Sequence, residues 1–163
     1  MNLITKSTSL LLTLLLAMVM LSSCSREGRG LAFEKSIMEL VENAPDNQVY
    51  LVMEQQSCNT CLYKADRFFK QHRDHGQITY VFAGYHSKKH VKLKYGLNGD
   101  ESNILFDEAS IFFKNNVQLK YPSILYFENG SITEHEVATS DNFSAYDRLE
   151  GYLGISPQLS VVE

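Results

Sequence analysis

The chain has 163 residues, 44% of them hydrophobic and 21% charged, enough for one globular domain with a real core and too few for two. Its formal charge is −4, and removal of residues 1–23 would take away Lys6 and no acid, leaving 14 basic against 19 acidic side chains. That balance argues against nucleic acid as a partner, and three cysteines do not make a disulfide framework.

Residues 1–23 read as an export signal: a polar start with Lys6, an apolar run from Leu10 to Leu21 broken only by Thr13, then Ser22 and Ser23. The run is too short for a membrane span, since its twelve residues reach about 18 Å as a helix against a hydrocarbon core of about 30 Å. Leu21-Ser22-Ser23-Cys24 resembles the lipobox of bacterial lipoproteins. That resemblance implies cleavage before Cys24, acylation of its sulfur and amine, and a mature protein held on a membrane of the bacterial cell envelope by its lipid. The protein would face the periplasm or the cell surface. Residues 24–32 are then the acylated cysteine and a tether, 33–155 the folded domain, and 156–163 a tail.

The domain opens with a helix carrying Phe33, Ile37, Leu40 and Val41 at helical spacing up to Ala44-Pro45, followed by a strand from Val49 to Met53. That strand leads to Cys58-Asn59-Thr60-Cys61 and a helix with Leu62, Ala65, Phe68 and Phe69 on one face, lasting to about His75 before Gly76. Ile78 to Ala83 is the next buried strand. In the Lys-rich stretch that follows, Val91, Leu93 and Tyr95 alternate with lysines, a pattern that suits a solvated surface or an edge strand protected from aggregation. A short strand at Ile104 to Phe106 and a helix from about Glu108 to Asn115 come next. Ile124 to Phe127 and Ser131 to Val137 flank Asn129-Gly130, a hairpin signal. Phe143, Tyr146, Leu149 and Leu153 mark a closing helix with Ser140 or Asp141 as its cap. The expected fold class is α/β, a central mixed sheet flanked by helices.

Two cysteines three residues apart at a helix start are close enough to bridge, and the free amides of the first turn favour a thiolate on the first of them. Cys58 is therefore the nucleophile and Cys61 the resolving thiol of a dithiol/disulfide exchange. This chemistry needs no cofactor beyond the redox-active Cys58–Cys61 disulfide. Zinc requires four ligands, and no second cysteine pair exists. His86 and His90 stand among Lys88, Lys89, Lys92 and Lys94, whose charge opposes a cation, so no metal is expected. A docking patch for an acidic partner is the other reading of these lysines.

A strand ending in C-x-x-C on a helix, followed some sixty residues later by Tyr121-Pro122-Ser123, an apolar strand and a Gly turn, resembles the thioredoxin fold. The stretch from Ile104 to Asp107, with Val117 and the run from Tyr121 to Gly130, looks most like its membrane-anchored TlpA-like branch. The resemblance implies a cis bond before Pro122 that presents the Tyr121 backbone to a substrate strand. It also implies thiol/disulfide exchange on exported proteins, with a membrane electron donor or acceptor as partner and reduction slightly favoured over oxidation. The chain departs from the family pattern at three places: Ser57 stands where thioredoxins have Trp, Val52 where they have a buried Asp, and Lys64 where TlpA-like reductases often have Glu. The missing carboxylates leave open slow resolution, an altered potential, or replacement by Glu54 as proton relay. They also motivate an alternative, a thioredoxin-like binding module with little exchange activity. A peroxidase of the same fold is disfavoured because its Pro-x-x-x-Thr-x-x-Cys pattern is absent before Cys58.

Overall fold

The structure is a computed structural model and describes residues 30–41, 48–55 and 58–155. The lipidation assigned to Cys24, the leader and most of the tether lie outside these residues. Helix α1 covers residues 30–40, so residues 30–32, expected in the tether, form its first turn instead. The reason is packing: Phe33 and Ile37, one helical turn apart, are buried, with Ala32 against the same cluster.

The other elements are β1 (Gln48–Glu54), α2 (Asn59–His72), β2 (Ile78–Ala83), α3 (Lys88–Tyr95), β3 (Ile104–Phe106), α4 (Ile111–Lys114), β4 (Ser123–Glu128), β5 (Ser131–Val137) and α5 (Ser144–Tyr152). They form one five-stranded sheet in the order β3-β2-β1-β4-β5. β1, β2 and β3 run parallel, while β4 is antiparallel to both β1 and β5. This is the expected thioredoxin-like α/β arrangement.

Alternation along β1 divides the core into two layers. Val49, Leu51 and Met53 face α2, α3 and α5 through Ala65, Phe69, Val91 and Leu149. Tyr50 and Val52 face α1 and α4 through Phe33, Ile37 and Phe112. Both faces are covered, which is why β1 and β2 read as unbroken apolar runs. The hairpin turns on Asn129 and Gly130 at φ 52° and 79°, as a two-residue turn of the I′ class requires.

Three local expectations are corrected. The run with Val91, Leu93 and Tyr95 is not an edge strand but helix α3. Ser87 Oγ accepts the His90 N–H at 3.3 Å, Gly96 closes the helix in the left-handed region, and Val91 and Tyr95 are buried one turn apart while Leu93 points to solvent. α4 is a single turn that starts at Ile111, because Ser110 adopts φ 54° and Asp107 takes the next two amides, Ile111 N–H at 2.6 Å and Phe112 N–H at 3.3 Å. Neither Ser140 nor Asp141 caps α5. Residues 139–142 fold into their own turn, in which the Asp141 amide bonds to Thr139 Oγ1 and the Asn142 amide to the Thr139 carbonyl, so the helix begins at Ser144.

Candidate functional site

The parallel and antiparallel registers bring the C-terminal ends of β1, β2, β3 and β5 and the start of β4 to one edge of the sheet. Cys58 sits at that edge, in the position that caps α2. Its backbone is non-helical (φ −58°, ψ 136°) and its Sγ accepts the Cys61 N–H at 3.1 Å. No acidic residue stands in the first turn of α2, so the partial positive charge of the helix start acts on this sulfur without local opposition.

Cys58 and Cys61 form a disulfide with their Cα atoms 5.3 Å apart. The two cysteines have different surroundings: Cys58 is partly exposed, whereas Cys61 has no exposed surface. Asn59 and Thr60 between them are exposed. An incoming group therefore reaches Cys58, and Cys61 is reached only through the bond to Cys58.

Glu54 ends β1 and is buried, with 6% of its surface exposed. Its neighbour across β2 is Ala83, and the next residue, Gly84, adopts φ +63°. A Cβ built on Gly84 would lie 2.6 Å from Glu54 Oε1, so the missing side chain is what gives the carboxylate its room. Sequence reading singled out Glu54 but not Gly84. The approach depends on the β1–β2 register, which a strand's own sequence does not announce.

Tyr121 is half-buried and Pro122 buried. The Pro122 carbonyl accepts the Ala138 amide at 2.9 Å, and Ser123 lies opposite Val52 on β1. Tyr121 and Pro122 thus enter the sheet at the edge from which β1 leads to the cysteines. The Tyr121–Pro122 bond is trans, since no cis peptide occurs among the described residues. This corrects the cis proline implied by the family resemblance, and it accords with the trans preference of X–Pro bonds, about 0.5–1 kcal/mol.

Lys64, one of the departures from the family pattern, lies over the Phe143 ring at 5.1 Å from its centre, joining α2 to the start of α5. A second network escaped sequence reading. Asp66 bonds to the Tyr95 hydroxyl and pairs with Lys94 Nζ at 2.7 Å, locking α2 to α3. Burial first, and then Asp66, push the Tyr95 phenol far above its ordinary range, with the Gln55 amide acting in the opposite direction. Gln55 stands three residues before Cys58, so this network reaches the loop that leads into the site. Among the described residues, no group of three or more His, Cys, Asp or Glu is placed to hold a metal ion, and no helix is long and apolar enough to cross a membrane.

No family model matches the chain, and no match was found among curated proteins. Among solved structures, the chain is similar to the pneumococcal exposed lipoprotein thioredoxin Etrx1 of Streptococcus pneumoniae strain TIGR4, at 16% identity over 69% of this chain and 89% of that one, with a TM-score of 0.45. It is similar to a secreted Mycobacterium tuberculosis disulfide oxidoreductase homologous to E. coli DsbE, at 17% identity over 68% and 82% of the two chains, with a TM-score of 0.43. It is also similar to StoA of Bacillus subtilis, at 13% identity over 64% and 84%, with a TM-score of 0.40.

Proposed function

We propose that the protein is a thiol/disulfide oxidoreductase acting on exported proteins at a bacterial membrane, with reduction favoured over oxidation and Cys24 as its lipid anchor. The observation that carries this reading is the asymmetry of the pair: a partly exposed Cys58, whose sulfur accepts a helix-start amide, bonded to a fully buried Cys61. In the reduced protein, the Cys58 thiolate attacks one sulfur of a partner disulfide, forms a mixed disulfide and releases the other sulfur as a thiolate. The Cys61 thiol then loses its proton and attacks the Cys58 sulfur, closing Cys58–Cys61 and releasing the partner's second thiolate. Two electrons and, after protonation of the thiolates, two protons pass to the partner. A dithiol donor at the membrane restores the pair by the reverse exchange.

Glu54 is the group we assign to take the proton from Cys61, because it is the buried carboxylate at the end of the strand that leads to the pair. The Tyr121 backbone, before Pro122, is the edge on which we place the partner's extended segment.

Equilibration of the Cys58–Cys61 pair against dithiothreitol and glutathione buffers tests the reading. A potential near −270 mV, thioredoxin's value, supports a reductase, and one near −120 mV an oxidant. With partner protein present, Cys61→Ser accumulates the mixed disulfide and Cys58→Ser does not. A pair that will not exchange overturns the enzyme and leaves a thioredoxin-like binding module.

A further inference from the structure

At about 100° per residue, Leu31, Lys35 and Met38 of α1 fall within about 60° of one another, on the side opposite the buried Phe33 and Ile37. Leu31 is 64% exposed and Met38 45%. α4 lies beside α1 on the same face of the sheet: the Phe33 and Phe112 rings meet edge-on with centres 5.9 Å apart, and the Asn115 side-chain amide donates to Ser36 Oγ at 3.2 Å and to Glu39 Oε2 at 3.1 Å. α4 turns Ile111 and Phe112 inward and Phe113 outward, 82% exposed. The outer side of this layer therefore gathers three large apolar side chains, whereas the exposed Tyr63, Leu93 and Tyr152 stand singly on α2, α3 and α5 across the sheet.

Lys35 stands on the same stripe and Lys114 follows Phe113, and among the described residues neither enters an ion pair. The acids of α1 lie to the flanks and are held by the protein, Glu34 by the Ile132 amide at 3.0 Å and Glu39 by Asn115. Apolar side chains with lysines beside them are the combination that enters a lipid head-group region, the lysine stems lying along the apolar surface and their heads in water. The length of the tether says what this face meets. Gly30 opens α1 six residues after Cys24, and six residues span at most about 20 Å. A domain of this length has a radius of gyration of about 14 Å and so a width of about 35 Å. A bilayer that holds acyl chains on Cys24 is thus never further from the start of α1 than about half the width of the domain.

We propose that the outward face of α1 and α4, with Leu31, Met38 and Phe113 as its apolar contacts, seats on the lipid bilayer that holds the anchor. The bilayer's nearness rests on the reading of Cys24 as the anchor; the apolar face is a separate observation. Ala32 and Phe33, in the first turn of α1, line one cavity of about 740 Å³ with Tyr121 and Ser123, so the anchored end of the domain is also the end that carries the exchange edge.

The chain contains no tryptophan, so Phe113→Trp and, on the opposite layer, Leu93→Trp each install a single fluorescent probe at an exposed position. The acylated protein carrying one or the other is reconstituted into phosphatidylcholine–phosphatidylglycerol vesicles whose acyl chains carry bromine as a contact quencher. Phe113→Trp should lose most of its emission, most strongly with bromines at the depth of about 5–10 Å that a surface-seated side chain reaches, and Leu93→Trp should keep its own. The tether alone brings Leu31 near lipid, so Phe113 is the position that separates seating from tethering. Equal quenching of the two probes, or quenching of neither, overturns the seated face and leaves the anchor standing. An unquenched Phe113→Trp in a protein that sediments as a dimer gives the face to a second copy and overturns the proposal too. If mass spectrometry finds no acyl chain on the N-terminal peptide, the anchor reading fails, and the same two variants mixed with the vesicles decide the face. Quenching of Phe113→Trp alone then supports it, and its absence overturns it.

Discussion

The Cys58 sulfur lies at the start of a helix whose first turn contains no acid, so a negative charge placed there measures how far the helix field supports a thiolate. Thr60 is exposed and one residue before Cys61, and Thr60→Glu adds a carboxylate to the same first turn, on the order of 8 Å from Cys58 Sγ because residues two apart point to different sides of a helix, without entering the core. Two unit charges at that separation interact by roughly 0.5 kcal/mol in water and about 2 kcal/mol at an effective dielectric of 20. Solvent exposure of the site selects the lower part of that range, about 1 kcal/mol. The thiolate fraction of Cys58 at a fixed pH below its half-ionisation should then fall about fivefold. Its alkylation by iodoacetamide, measured in a Cys61→Ala background, should slow by the same factor. Because the reduced form loses that stabilisation, the potential of the intact pair should become more negative by about 20 mV. The substitution also adds an acid to a helix start, which favours the helix, so a slower reaction is not explained by unfolding. Thr60→Gln is the uncharged comparison. Equal alkylation rates for the Glu and Gln variants would refute the claim that charge at the start of α2 controls Cys58.

Gly84→Ala should cost about 1–2 kcal/mol for its left-handed backbone alone and, through the contact at 2.6 Å from Glu54 Oε1, displace that carboxylate; thermal unfolding reads the first effect. Single-turnover exchange reads the second, as a slowed release from the mixed disulfide that Glu54→Gln reproduces. Asp107→Ala strips the acceptor from two buried amides, Ile111 and Phe112, and at about 1–3 kcal/mol for each amide left unsatisfied should destabilise the fold by a few kcal/mol in urea. Asp107→Asn, which keeps one acceptor oxygen, should lose less. Burial holds the Tyr50 phenol at about 12 and pushes Tyr80, Tyr95, Tyr126 and Tyr146 higher still. With each folded value above the unfolded value near 10, stability is fully present below pH 10 and lost as pH rises toward 12 and beyond. Phenolate absorbance should therefore rise together with loss of circular dichroism, and smooth titration near pH 10 with the fold intact would contradict the burial.

The cysteine pair was legible because its chemistry lies in spacing, and spacing survives without tertiary structure. β2 and the hairpin were legible for the same reason, through an apolar run and an Asn-Gly turn. α3 was not, because Val91 and Tyr95 satisfy both a strand's two-residue alternation and a helix's four-residue repeat. Only Leu93 separates the two, and its exposure is a tertiary fact. Ser87 and Gly96, the residues that bound the helix, carried the deciding signal. The contact of Glu54 with Gly84 and the lock of Asp66 on Tyr95 both join elements far apart in sequence. Their geometry follows from the β1–β2 register and the packing of α3, which local patterns do not specify.

A bridge over three residues constrains an unfolded chain little. In the chain-entropy description it contributes about 2 kcal/mol, and α2 already sets the 5.3 Å separation of the two Cα atoms. The fold is held elsewhere, by two apolar layers and by ring contacts such as Phe69 with Tyr80, Phe82 and Tyr95. The apolar layers that hold the sheet edge do not include this bond, as a pair that cycles between dithiol and disulfide requires. A structural staple would be expected to join distant segments, and this bond joins neighbours on one turn. The placement of the cysteines at a helix start, with Cys58 partly exposed and Cys61 buried, fits the exchange proposed above better than a stabilising role.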